Sequence, residues 1–143
     1  MLKETVNYVD FDGNEVTEEL YFNLNTVEMT RANAKFGGDL EAHINKVVDK
    51  KDMEGIMEVI EYLVLYSYGL RSEDGRRFIK TKEVREEFEY SIAYAEIFEK
   101  LLLNPSHAST FAKGLVTTPN LEAKKLKMIE EQKAKSKVDG TAE

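Results

Sequence analysis

A helix that must stop and pass at once into a folded turn is the constraint that most narrows this chain. It lies in Ser67-Tyr68-Gly69-Leu70-Arg71-Ser72-Glu73-Asp74-Gly75-Arg76-Arg77-Phe78-Ile79-Lys80. Met53, Ile56, Ile60, Leu63, Val64 and Ser67 recur at helical spacing on one wide stripe, which predicts a central core helix ahead of the turn. Gly69 reads as the C′ residue in left-handed backbone, a Schellman ending in which Leu65 touches Leu70. Asp74-Gly75 then supplies a second tight turn, and Phe78 and Ile79 are apolar enough to anchor the loop to the body.

The remaining punctuation extends the pattern in both directions. Residues 3-10 and 15-22 are rich in Val, Tyr, Thr and Phe and flank Asp12-Gly13, which predicts an antiparallel β-hairpin. On its second strand Val16, Glu18, Leu20 and Phe22 share one face, so the hairpin buries a side against the helices or pairs its edge with a neighbouring subunit. Asn25 with Glu28 forms a capping box for helix one, stapled by Leu24 and Met29, and Gly37-Gly38 stops it. Leu40, His43, Ile44, Val47 and Val48 mark helix two, and Asp52 caps helix three. Thr81 caps a short acidic helix through Glu89, and Ser91 opens the next, with Tyr94, Ile97, Phe98 and Leu101 on its apolar face. Asn104-Pro105 opens a last helix that Gly114 closes. The expected fold is mainly α, five to six helices with a small N-terminal β-hairpin at 3-22. The body spans 1-119, and 120-143 is a charged tail of weak helix or disorder.

Composition restricts function mostly by exclusion. The 143 residues contain no cysteine, which removes disulfides, thiolate nucleophiles and thiolate metal sites and fits a reducing compartment. No apolar run reaches the roughly 18 residues of a membrane span, and the N-terminus lacks a hydrophobic signal segment, so a soluble, unexported protein is expected. The net charge of -7 divides unevenly, with 14 basic and 22 acidic residues in 1-119 and six Lys against five acids in 120-143. An acidic body repels a phosphate backbone, so nucleic acid is not the expected partner; Arg76, Arg77, Lys80 and Lys82 are the local counter-signal, read as a solvated loop.

Candidate chemistry is sparse. Asp10, Asp12 and Asn14 imitate the first half of a calcium loop, but Glu15 stands where a Gly is needed and Tyr21 where a bidentate Glu is needed, and a hairpin turn accounts for all of them. Gly37-Gly38 lacks a following Lys-Ser/Thr and is no phosphate cradle. His43 and His107 are far apart and without a nucleophile motif, and Glu86, Glu87 and Glu89 sit in surface runs. The expectation is a protein that is not an enzyme, with no catalytic, metal or cofactor residues. The aromatics carry more information: Tyr62 and Tyr66 fall off the centre of the helix-three stripe, with Phe78 downstream. They read either as core-edge residues covered by the hairpin or last helix, or as a contact surface for another chain; Tyr62, Tyr66 and Phe78 are the protein-binding candidates.

The order of Tyr8-Val9-Asp10-Phe11-Asp12-Gly13-Asn14, Tyr21-Phe22-Asn23-Leu24, Gly37-Gly38, Tyr68-Gly69, the 72-80 loop and the Glu86-Glu87-Phe88 to Phe98 segment resembles the tail assembly chaperones of long-tailed bacteriophages, over roughly residues 5-116. The resemblance implies a protein that binds the long tape measure protein, keeps it soluble and helps tail-tube subunits polymerise around it. It also implies action in the host cytoplasm, absence from the finished virion, and a longer frameshift product of the same gene. Partners so implied are the tape measure protein and the tail tube protein, with a homo-oligomer left open. A small helical nucleic-acid-binding regulator and a minor structural tail protein are the alternatives.

Overall fold

The computed structural model describes residues 1–116; the boundary expected near Pro119 and the 120-143 tail lie outside the described residues. Strands β1 (Leu2–Val9) and β2 (Glu15–Phe22) form the expected hairpin, in register from Leu2 opposite Phe22 to Val9 opposite Glu15. Asp10 closes the turn: its amide donates to the Asn14 carbonyl at 2.9 Å, and its Oδ1 accepts the amides of Asp12 and Asn14 at 3.0 and 2.8 Å. The carboxylate that imitated a calcium ligand is thus engaged by backbone. Alternation holds along both strands, with Glu4, Val6, Leu20 and Phe22 buried and Lys3, Thr5, Thr17 and Glu19 exposed.

Six helices follow among the described residues: α1 (Thr26–Lys35), α2 (Leu40–Asp49), α3 (Met53–Ser67), α4 (Lys82–Glu89), α5 (Ile92–Leu103) and α6 (Pro105–Val116). The caps expected at Asn25, Asp52, Thr81 and Ser91 all accept a backbone amide of the first turn, and Asn104 Oδ1 accepts the His107 amide at 3.1 Å. Helix α1 carries the full capping box with Glu28.

The end of α3 differs from expectation. Gly69 is not a left-handed C′ residue: the cap, Tyr68, is already extended at φ -68° and ψ 142°, and the chain runs directly into β3 (Tyr68–Arg71). The Schellman ending sits at Gly37-Gly38 instead, where φ is +81° and +97° and the Gly38 amide reaches the Asn33 carbonyl at 2.7 Å. What Gly69 supplies is room. A Cβ there would lie 2.8 Å from Phe78 Cε2 and 2.9 Å from the Ile79 carbonyl oxygen. The 71-80 loop is therefore a second hairpin, in which β3 pairs with β4 (Phe78–Ile79), and its first strand joins β2 through Tyr21 opposite Gly69 and Phe22 opposite Tyr68. The small hairpin of the sequence reading becomes one edge of a four-stranded antiparallel sheet in the order β1-β2-β3-β4.

Two further expectations are corrected. Gly114 does not close the last helix; α6 continues to Val116, and a Cβ at Gly114 would meet Leu2 Cδ1 at 3.0 Å, so the glycine lets α6 lie close on β1. Met53 is 56% exposed rather than core, while Val59 and Leu65, outside the expected stripe, are buried. Helix α3 is enclosed on more sides than one amphipathic stripe implies, because β3, α2, α4 and α5 all pack on it or continue from it. At the centre Phe22 makes edge contacts with Tyr68, Phe88 and Phe111, at centroid distances of 5.9, 6.1 and 5.1 Å, and Tyr68 stacks on Phe88 at 3.8 Å.

Gly69→Ala is expected to destabilise the protein by about 1 to 3 kcal/mol, the usual cost of forcing extra volume into a packed site. Because the obstacle includes the Phe78 ring, Gly69→Ala with Phe78→Ala should cost less than the sum of the two changes in urea denaturation. Strict additivity would show that the ring is not what the methyl meets.

Alkaline pH should weaken the fold. The Tyr8 hydroxyl donates to Glu18 at 2.6 Å, and that bond with burial holds its pKa up to about 12; burial, then Glu61 and Glu89, does the same for Tyr94, also to about 12. Each group's contribution is complete below the ordinary value of 10.0 and is lost as pH rises toward 12, because the unfolded chain gives up the proton first. Melting temperature measured by circular dichroism should fall over this window, less steeply in Tyr94→Phe.

Candidate functional site

Of the three residues singled out in the sequence, the structure joins two directly. Tyr62 and Tyr66 stand one turn apart on α3 and stack with ring centroids 4.6 Å apart and planes 23° from parallel. Tyr62 packs against the edge of the core, and the ring and cation contacts of the pair come from Lys35 at the end of α1, Phe36 and Arg85 of α4. Phe36, just past the end of α1, meets Tyr62 edge-on at 5.4 Å and the His43 ring, tilted 31°, at 5.0 Å. Tyr66 remains 42% exposed.

Two cations lie on these rings. Lys35 Nζ is 5.4 Å from the Tyr62 centroid and 5.8 Å from that of Phe36, and the Arg85 guanidinium of α4 is 4.3 Å from the Tyr66 centroid. The result is a row running His43, Phe36, Tyr62, Tyr66, with a cation over each tyrosine. Burial raises the Tyr62 pKa, Tyr66 adds to the shift, and Arg31 opposes it.

Phe78 belongs to a neighbouring feature. Half-buried over Gly69, its centroid is 5.6 Å from Lys80 Nζ. The Lys80 ammonium donates to both Glu28 carboxylate oxygens at 2.8 and 2.7 Å, to the Tyr66 carbonyl at 3.1 Å and to the Asn23 carbonyl. Burial lowers its pKa, and the Glu28 carboxylate resists that shift. Lys80 is therefore not part of a solvated basic loop, as its sequence neighbours implied, and Lys82 pairs with Glu86 at 3.7 Å along α4. Glu28 serves twice, accepting the Asn25 amide at 3.1 Å as the capping-box partner while holding Lys80. Phe78 is thereby connected to the tyrosine pair through Lys80.

Sequence reasoning missed Lys35, Phe36, Lys80 and Arg85 as members of this surface. Arg85 is 19 positions from Tyr66, and no local period links them. It also missed Glu4, a carboxylate outside the acidic surface runs. Only 8% exposed, Glu4 lies 3.3 Å from Lys100 Nζ on α5 and 3.0 Å from His107 Nε2 on α6, tying both helices to β1. Among the described residues no group of three or more His, Cys, Asp or Glu is placed to hold a metal ion, and no helix is long and apolar enough to cross a membrane.

A mainly α domain on a four-stranded sheet, with an open aromatic and cationic face, falls to a class through its relatives: it is a protein of bacteriophage tail assembly. More particularly, the family described as phage tail assembly chaperone matches residues 1–142, and the chain belongs to that family. The match takes in the charged C-terminal segment as well as the body. No curated protein and no solved structure matches the chain.

Lys80→Met keeps the aliphatic stem and removes the ammonium, leaving Glu28 and two carbonyls without their donor. The expected loss is about 1 to 3 kcal/mol, with Glu28's partial exposure holding it below the cost of breaking a fully buried pair. Chemical denaturation checks it, and a midpoint equal to wild type would remove Lys80 as the anchor of the Tyr66 carbonyl.

Proposed function

We propose that this tail assembly chaperone binds the tape measure protein through the face carrying Tyr62, Tyr66 and, beside them, Phe78, keeps that partner soluble, and promotes tail-tube assembly around it. The action takes place in the host cytoplasm, and the protein leaves before the virion is complete. The observation that carries the reading is the Tyr62-Tyr66 stack, left half open at Tyr66 in a member of the tail assembly chaperone family. Tyrosines fixed by packing present large, amphipathic contact area at little conformational cost, which suits a partner that must later be released. An open ridge also matches a long, repetitive client better than a closed pocket does. The tail tube protein is a second partner under this reading, met when the client is handed on. Self-association is compatible with it.

Co-expression with the cognate tape measure protein should move that protein from the insoluble to the soluble fraction, and the two should co-purify. Tyr62→Ser with Tyr66→Ser should abolish co-purification while the far-UV spectrum stays that of wild type. A parallel loss of fold would return both residues to a core role. Should the wild-type protein leave its client insoluble and bind a DNA fragment at physiological salt, the nucleic-acid regulator takes the place of the chaperone. Retention in purified particles would favour a minor structural tail protein.

A further inference from the structure

The tyrosine face is cationic in a protein whose net charge is -7. Lys35 and Arg85 lie over the rings of Tyr62 and Tyr66. Lys3, Lys80, Lys82 and Lys100 have carboxylates within 4.0 Å, whereas Lys35 and Arg85, like Arg71 over Tyr21, have none among the described residues; what sets this face apart is two such cations over one stacked tyrosine pair. Glu28, the carboxylate that also acts on Tyr62, is already held by Lys80. Glu58, one turn before Tyr62 on α3, is an exposed carboxylate of the same helix. A chain with 27 acidic and 20 basic residues has carboxylates to spare, yet Lys35 and Arg85 are supported by aromatic faces. Contacts of that kind steady the charge without neutralising it.

We infer that the segment this face receives is an acidic amphipathic helix of the partner, whose apolar side lies along Tyr62 and Tyr66 and whose carboxylates meet Lys35 and Arg85. The inference rests on the proposed function for the place of binding and adds the chemistry of what is bound. A tyrosine pair one helical turn long fits side chains projecting from a helix at i and i+4. Arg85 can give a carboxylate two parallel hydrogen bonds while its face stays on Tyr66. Phosphate would satisfy the same cations, but the acidic remainder of the surface opposes a polyanion that extends beyond the face.

The test titrates the isotopically labelled full chain with three probes: two synthetic amphipathic helical peptides sharing one leucine face, bearing glutamate or lysine on the other, and a single-stranded oligouridine. Backbone amide shifts should map the glutamate peptide to Tyr62, Tyr66 and Arg85, with affinity at least about tenfold above the lysine peptide, falling as salt screens the charges. Lys35→Glu and Arg85→Glu should each reverse that preference, and Lys35→Glu, at an exposed position, reports even if Arg85→Glu lowers stability. Equal binding of both peptides, binding of neither, or tighter binding of the oligouridine overturns the inference. Preference for the glutamate peptide without co-purification of the tape measure protein keeps the surface chemistry and removes the proposed client. Co-purification that needs Tyr62 and Tyr66 but ignores Lys35→Glu and Arg85→Glu does the reverse.

Discussion

The burial of Phe22 is the interaction on which the rest of the structure depends. Its ring is enclosed by Tyr68 from β3, Phe88 from α4 and Phe111 from α6, so one side chain from the N-terminal hairpin fixes three elements that come later in the chain. Truncating such a residue ordinarily costs about 3 to 5 kcal/mol, a large part of the stability of a small domain. Backbone bonds on either side reinforce the junction. The Asn23 amide takes the Ser67 carbonyl at the end of α3 at 2.8 Å, and the Leu24 amide takes the Leu115 carbonyl of α6 at 3.1 Å. Two helix C-termini thus spend orphan carbonyls on the same short link between β2 and α1.

That junction also places the candidate surface. Because Tyr68 must be extended to pair with Phe22, α3 cannot unwind gradually, and Tyr66 is held two residues from a fixed strand. The returning strand β4 then delivers Lys80 beside the last turn of α3, where its ammonium connects the Tyr66 and Asn23 carbonyls with the capping glutamate of α1. Gly69 makes the return possible, since a side chain there would push β4 and Phe78 away. The position of the exposed tyrosine rings therefore follows from sheet pairing, which places a surface feature under control of the core.

Local signals were legible in the sequence because their chemistry is local. The capping box of Asn25 and Glu28, the caps at Asp52, Thr81, Ser91 and Asn104, the Asp12-Gly13 hairpin and the alternation of β2 all rest on residues within a few positions of each other. Gly69 misled because a glycine after an apolar helix has two uses, positive φ and close approach, and the second depends on Phe78 and Ile79 in a strand not yet formed. Gly114 misled for the same reason, its reason being Leu2 at the far end of the chain. In the candidate surface, the off-stripe positions of Tyr62 and Tyr66 could be read from period alone. Lys35, Phe36, Lys80 and Arg85 arrive from three other elements, and only the tertiary arrangement brings them to the tyrosines.

The same arrangement resolves an apparent conflict between charge and role. An acidic protein keeps itself dispersed by self-repulsion, which under the proposed role would help hold an aggregation-prone client in solution. Uniform acidity would also repel any acidic stretch of that client. Setting Lys35 and Arg85 on the rings of one tyrosine stack concentrates two unpaired cations beside an open apolar surface. Ion pairs at a partly solvated face gain little net free energy, whereas apolar contact with the tyrosines scales with area, so under the proposed binding mode charge would select the segment and the rings would retain it. Release in that binding mode would require only that a competing surface cover the client's apolar side, because no deeply buried charge pair would have to be broken.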